Sequence, residues 1–179
     1  LIVKGSISVQ GTEAEPVTFT TSESVGRAGQ WGGIKLEGNS ASGEFKYVVV
    51  EYSSYGIHFS GISDRSVKIE ESVIRYNSDY GIKGSRSAAG QGNWGATIAV
   101  VNTQVVDNYR EGIYGGYNDY SKWEITGCKI LRNGSHGIYL QEHYGCVITD
   151  NEVKENDKGI YVGRDSGNHD AKRIITVNE

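Results

Sequence analysis

Hydrophobic positions along this chain fall into short alternating runs that return at a nearly fixed interval. A Gly-Ile-x unit stands at Gly33-Ile34-Lys35, Gly56-Ile57-His58, Gly81-Ile82-Lys83, Gly112-Ile113-Tyr114, Gly137-Ile138-Tyr139 and Gly159-Ile160-Tyr161. The intervals are 23, 25, 31, 25 and 22 residues. Between these units a second register aligns Val67-Lys68-Ile69 through Asn77 with Ile98-Ala99-Val100 through Asn108, Trp123-Glu124-Ile125 through Asn133, and Cys146-Val147-Ile148 through Asn156. Counted back from the asparagine, the third residue is Ile74, Val105, Ile130 or Val153, and the eighth is Ile69, Val100, Ile125 or Ile148. Both columns are expected inside. The sixth, Glu71, Asn102, Gly127 or Asp150, is expected at a turn.

Alternation with a period of two in β-branched segments predicts strands, three to a copy, separated by single-residue bends. One turn of three short strands cannot bury its own apolar face. Stacking each turn on the last pairs every strand in parallel and buries a continuous core. Leucine-rich repeats have a similar period but need a leucine ladder, which this chain lacks. The expectation is an all-β solenoid, a single-stranded parallel β-helix of about seven coils with three short strands each, as one domain over residues 1–179. Asn77, Asn108, Asn133 and Asn156 then superpose at one bend, where they would take a left-handed backbone and bond from coil to coil. The sequon Asn133-Gly134-Ser135 would be hidden by that ladder.

With these repeats the chain resembles the right-handed parallel β-helix proteins, the pectate lyase-like superfamily, over about Gly33 to Val162. That superfamily includes pectate lyases, polygalacturonases, alginate epimerases and surface proteins. The opening stretch, Gly11-Thr12 and Pro16-Val17-Thr18-Phe19-Thr20 followed by Gln30-Trp31-Gly32-Gly33-Ile34, looks like the first coils of secreted bacterial or archaeal cell-surface members. The resemblance implies an extracellular or cell-surface location. It fixes the fold far more narrowly than the activity, because one coil type hosts lyases, hydrolases, epimerases, adhesins and stalks.

Composition adds bounds. The count of 18 Lys and Arg against 22 Asp and Glu gives a net charge of −4, with no basic run to mark a nucleic-acid or anionic-membrane partner. No apolar run reaches membrane-spanning length, so no membrane insertion is expected. The lack of methionine and the strand-like opening suggest a mature or excised fragment of a larger protein. Cys128 and Cys146 occupy different columns and are expected as free buried thiols. Oligomeric state is open.

Candidate chemistry is sparse. Isoleucine points inward, so the next residue points out, and stacking builds a row of Lys35, His58, Lys83, Tyr114, Tyr139 and Tyr161. The preceding glycines are expected to leave a bare strip beside it, walled by Tyr117, Tyr120, Tyr144 and the insertion from Arg86 to Trp94. An aromatic and cationic groove suits a polysaccharide, preferably an acidic, uronate-containing one. The rival reading is that the tyrosines simply pair across strands. Lyases of the fold use a basic residue next to a uronate carboxylate, for which Lys83, Arg86, His58 and Arg110 are the candidates here. Asp64, Asp119, Glu142 and Asp165 follow the Gly-Ile-x strands and could hold calcium in stacked loops, although no dense Asp-x-Asp string occurs.

Overall fold

The structure is a computed structural model that describes residues 1–62, 64–85, 96–116, 121–143, 145–165 and 173–176. Side chains of 142, 143, 164, 165 and 173 are left undescribed. Three sheets form the walls, each strand pairing in parallel with its counterparts one coil before and after. Sheet A holds Ile2–Val3, Ile34–Glu37, Ile57–Ser60, Ile82–Ser85, Ile113–Gly115, His136–His143 and Lys158–Asp165. Sheet B holds seven strands from Ser6–Gln10 to Arg173–Ile175, and sheet C six from Val17–Phe19 to Glu152–Lys154.

The predicted interior columns are buried, with Ile74, Val105 and Ile130 at 0% exposure and Val153 only partly buried. Ile34, Ile57, Ile82, Ile113 and Ile138 form one ladder at 0% exposure, and Ile69, Val100, Ile125 and Ile148 form another. Ile160 departs from the expectation at 36%, because no described strand of sheet A stacks beyond its own. Across the core, Trp123 meets the Phe59 ring at 5.5 Å, two coils away. Gly84 and Gly115 continue the Phe59 column on the next two coils.

Two left-handed bends recur from coil to coil. Glu71, Asn102, Gly127 and Asp150 take φ of 47°, 47°, 66° and 58°, as expected of their column. The other bend differs from the expectation. The left-handed residue is the one before the asparagine, with φ 55° at Tyr76, 56° at Asp107, 53° at Arg132 and 57° at Glu155. That arrangement turns the next side chain inward, where the asparagine closes the bend. Nδ2 of Asn77 donates to Oδ1 of Asn108 at 2.8 Å, and the chain continues to Asn133 and Asn156 at 2.9 Å each. Buried amides are thus satisfied along the whole stack. At the first bend a second polar ladder follows, made of Ser72, Thr103, Cys128 and Asn151. The Cys128 thiol donates to the Val100 carbonyl at 3.3 Å, and burial pushes its pKa up to about 11. Both cysteines are buried, and no disulfide joins them.

Candidate functional site

The outward row of sheet A is in register. Lys35 stands beside His58, His58 beside Lys83, Lys83 beside Tyr114, Tyr114 beside Tyr139 and Tyr139 beside Tyr161. Ring centroids are 5.5 Å apart for Tyr114 and Tyr139 and 4.7 Å for Tyr139 and Tyr161, at interplanar angles of 9° and 16°. Rings this close and this parallel would overlap if they lay side by side in one plane. Their faces are therefore turned on each other, and the row offers ring edges outward. The Tyr139 hydroxyl donates to Oε1 of Gln141 at 3.3 Å.

The bare strip also lies elsewhere than expected. Gly56, Gly81, Gly112 and Gly137 are buried, and a Cβ on any of them would strike the next coil or an Asn amide within 2.4–2.9 Å. Close coil-to-coil approach, and not an open groove, requires them. The low positions lie two residues after the isoleucine's neighbour, at Ser60, Ser85, Gly116 and Gly163, in a column that Glu37 and Gln141 interrupt. There the Tyr114 ring leans over Gly116 and the Tyr161 ring over Gly163.

The three cationic positions are less free than the sequence suggests. Lys35 closes on Glu37 at 2.7 Å and lowers that carboxyl's pKa. His58 bonds Ser85 at 2.8 Å, and its pKa falls to about 4, first through burial and then through Lys83 and Lys35. At neutral pH the ring is uncharged. The Lys83 ammonium lies 4.6 Å from the ring centroids of both Tyr55 and Tyr80, and burial lowers its pKa.

A second column, one residue before each Gly-Ile, lies along the same edge and was not singled out from the sequence: Tyr55, Tyr80, Glu111, His136 and Lys158. Tyr55 stacks on Tyr80 at 6.1 Å, Tyr80 meets Tyr114 at 4.6 Å, and His136 sits edge-on to Tyr139 at 4.9 Å. Arg110 covers Tyr80 at 4.8 Å and stands 3.5 Å from Asp79 and 3.7 Å from Glu111. Its pKa is raised, with Tyr80, Glu111 and Asp79 outweighing the opposing effect of burial, so it is no candidate base. The signal available in the sequence was the shared offset from each Gly-Ile.

The remaining candidates separate. Arg86, Asp119, Tyr117, Tyr120, Tyr144 and the insertion to Trp94 lie outside the described residues. Glu142 and Asp165 are not in loops: their backbones lie in sheet A, paired with Arg164 and His143. Asp64 is exposed at a left-handed bend, with φ 49°. Among the described residues no group of three His, Cys, Asp or Glu side chains could hold a metal ion. No described helix is long and apolar enough to cross a membrane.

Three parallel sheets wound coil by coil, with stacked isoleucine and asparagine ladders, define a single-stranded parallel β-helix. The model of the family described as right handed beta helix region matches residues 32–178, and the chain belongs to that family. No curated protein and no solved structure matches it.

Proposed function

We propose that this β-helix binds polysaccharide along sheet A, with the sugar chain parallel to the coil axis. The observation that carries the reading is the register-locked Tyr114–Tyr139–Tyr161 row, whose outward edges repeat at the coil spacing. That spacing, about 4.8 Å, is close to the length of one sugar ring. Successive ring edges can then meet successive sugar units. Lys83, Tyr55 and Tyr80 extend the surface toward the earlier coils.

A uronate preference rests on Lys35, His58 and Lys83, and the Lys35–Glu37 pair together with the neutral His58 ring weakens its support. Likeness of the opening coils to secreted members supports an extracellular or cell-surface role. An enzymatic version, a lyase or epimerase, has one observation in its favour: the depressed pKa of Lys83, which a general base needs. Under that version Lys83→Ala abolishes turnover of a uronide polymer and leaves binding largely intact.

The non-binding alternative, a structural stalk or adhesin, is favoured by the mutual stacking of the tyrosine faces. Affinity electrophoresis of the wild type and Tyr139→Ala through neutral and acidic polysaccharides separates the readings. Polysaccharide binding predicts retention that weakens about tenfold in the variant, since Tyr139 is flanked by the other two rings. A wild type that no polysaccharide retains leaves the stalk.

A further inference from the structure

The groove beside Arg110 holds chemistry that the tyrosine row does not use. It is an open depression of about 1000 Å³, and its lining includes Tyr76, Asp107, Tyr109, Arg110, Arg132 and Ser135. Tyr109 is 77% exposed, the highest value among the exposed large apolar side chains described. Its backbone N–H is fixed to the Asn77 carbonyl at 3.0 Å, at the asparagine ladder. With the backbone fixed, only the rotamers of the ring itself have to be ordered against a ligand.

Arg110 is the second element. It stands 3.5 Å from Asp79 and 3.7 Å from Glu111, longer than good charge-assisted hydrogen bonds. The facing oxygens, Oδ1 of Asp79 and Oε2 of Glu111, are buried with no hydrogen-bond partner among the described residues. Glu111 itself is only 7% exposed. The two carboxylates and the Tyr80 face hold the guanidinium in place at the edge of the groove.

Charge decides the ligand class. Arg132 closes on Asp107 with two bonds of 2.7 and 2.8 Å, and Arg110 faces two carboxylates. No cation in the groove is left unmatched for an acidic ligand. An exposed ring beside donors and acceptors matches a neutral sugar, which has an apolar face and a rim of hydroxyls.

We infer that this groove is a second subsite, taking a neutral sugar branch of the polysaccharide whose main chain lies on the tyrosine row. The inference rests on the binding role proposed for that row. Continuity between the two surfaces supports it. Ser135 lines the groove and bonds Glu111 at 3.1 Å, and its neighbour His136 packs against the Tyr139 ring at 4.9 Å. A branch leaving the main chain at Tyr139 reaches Tyr109 by crossing Ser135 and His136.

Calorimetry with xyloglucan and galactomannan oligosaccharides, each compared with its unsubstituted cello- or manno-oligosaccharide backbone, tests the subsite. The wild type should bind at least one substituted chain about tenfold tighter than its backbone. Tyr109→Ala should erase that difference and keep the backbone affinity, while Tyr139→Ala should weaken both ligands. Arg110→Gln should repeat the Tyr109→Ala result if its melting temperature stays near that of the wild type. Equal affinity for substituted and bare chains, or a difference that survives Tyr109→Ala, overturns the subsite and leaves the row standing. If neither substituted nor bare chains bind, the row and the subsite fall together.

Discussion

Single side chains here are governed by what their neighbours one coil away allow. His58 is the clearest case, because burial and two flanking lysines hold its pKa near 4 against an ordinary value of 6.5. The unfolded chain takes up the proton first as pH falls. Stability contributed by the neutral ring is therefore complete above pH 6.5 and is lost progressively as pH drops through 6.5 toward 4. Ring resonances followed by NMR should show His58 titrating near pH 4, and His58→Gln should narrow the fall in melting temperature over that window. A ring that titrates at its ordinary value would contradict the burial. Cys128 makes a parallel forecast: with its pKa pushed up to about 11 by burial, it should resist thiol reagents until the chain unfolds. Neither shift was legible from the sequence. The predicted row already set Lys35 and Lys83 on either side of His58, but the burial that leads its shift emerges only in the fold.

At the scale of strands and bends, the asparagine and glycine columns set how closely coils approach. Asn108 donates to Asn133, accepts from Asn77 and is 2% exposed, so Asn108→Ala strands several buried polar groups at once. The expected loss is about 2–4 kcal/mol of unfolding free energy by denaturant titration. Asn156→Ala, at a partly buried end of the ladder, should cost less. Gly112→Ala would put a methyl 2.8 Å from the Gly137 carbonyl and from the Asn133 amide, and should destabilise by about 1–3 kcal/mol with no help from backbone strain. The ladders were legible because periodicity encodes them directly: Ile69, Val100, Ile125 and Ile148 recur at one offset and all are buried. The glycines were misread because the same periodicity does not say whether a missing side chain faces solvent or the next coil. The left-handed residue was likewise placed one position late, at Asn77 instead of Tyr76, since a tyrosine gives no local hint that its φ is 55°.

For the molecule as a whole, a continuous core links the coils, and damage to one wall spreads along the stack. Ile125→Asp places an unpaired charge at 0% exposure and should abolish cooperative unfolding. The candidate site was half legible on this scale. The row from Lys35 to Tyr161 followed from alternation alone, and the flanking column with Tyr80, Glu111 and His136 was encoded in a fixed offset from each Gly-Ile, whereas the groove at Tyr109 takes shape only in the fold. A binding surface built on repeating coils has a further consequence: affinity should grow with ligand length. Calorimetric titration of a series of linear oligosaccharides, from about two to about eight units, measures this directly. Affinity should rise with each unit until the chain spans the rings of Tyr114, Tyr139 and Tyr161, about one sugar per coil, and then level off. Absence of binding at every length, or an affinity that does not change with length, would contradict a polysaccharide lying along the coil axis.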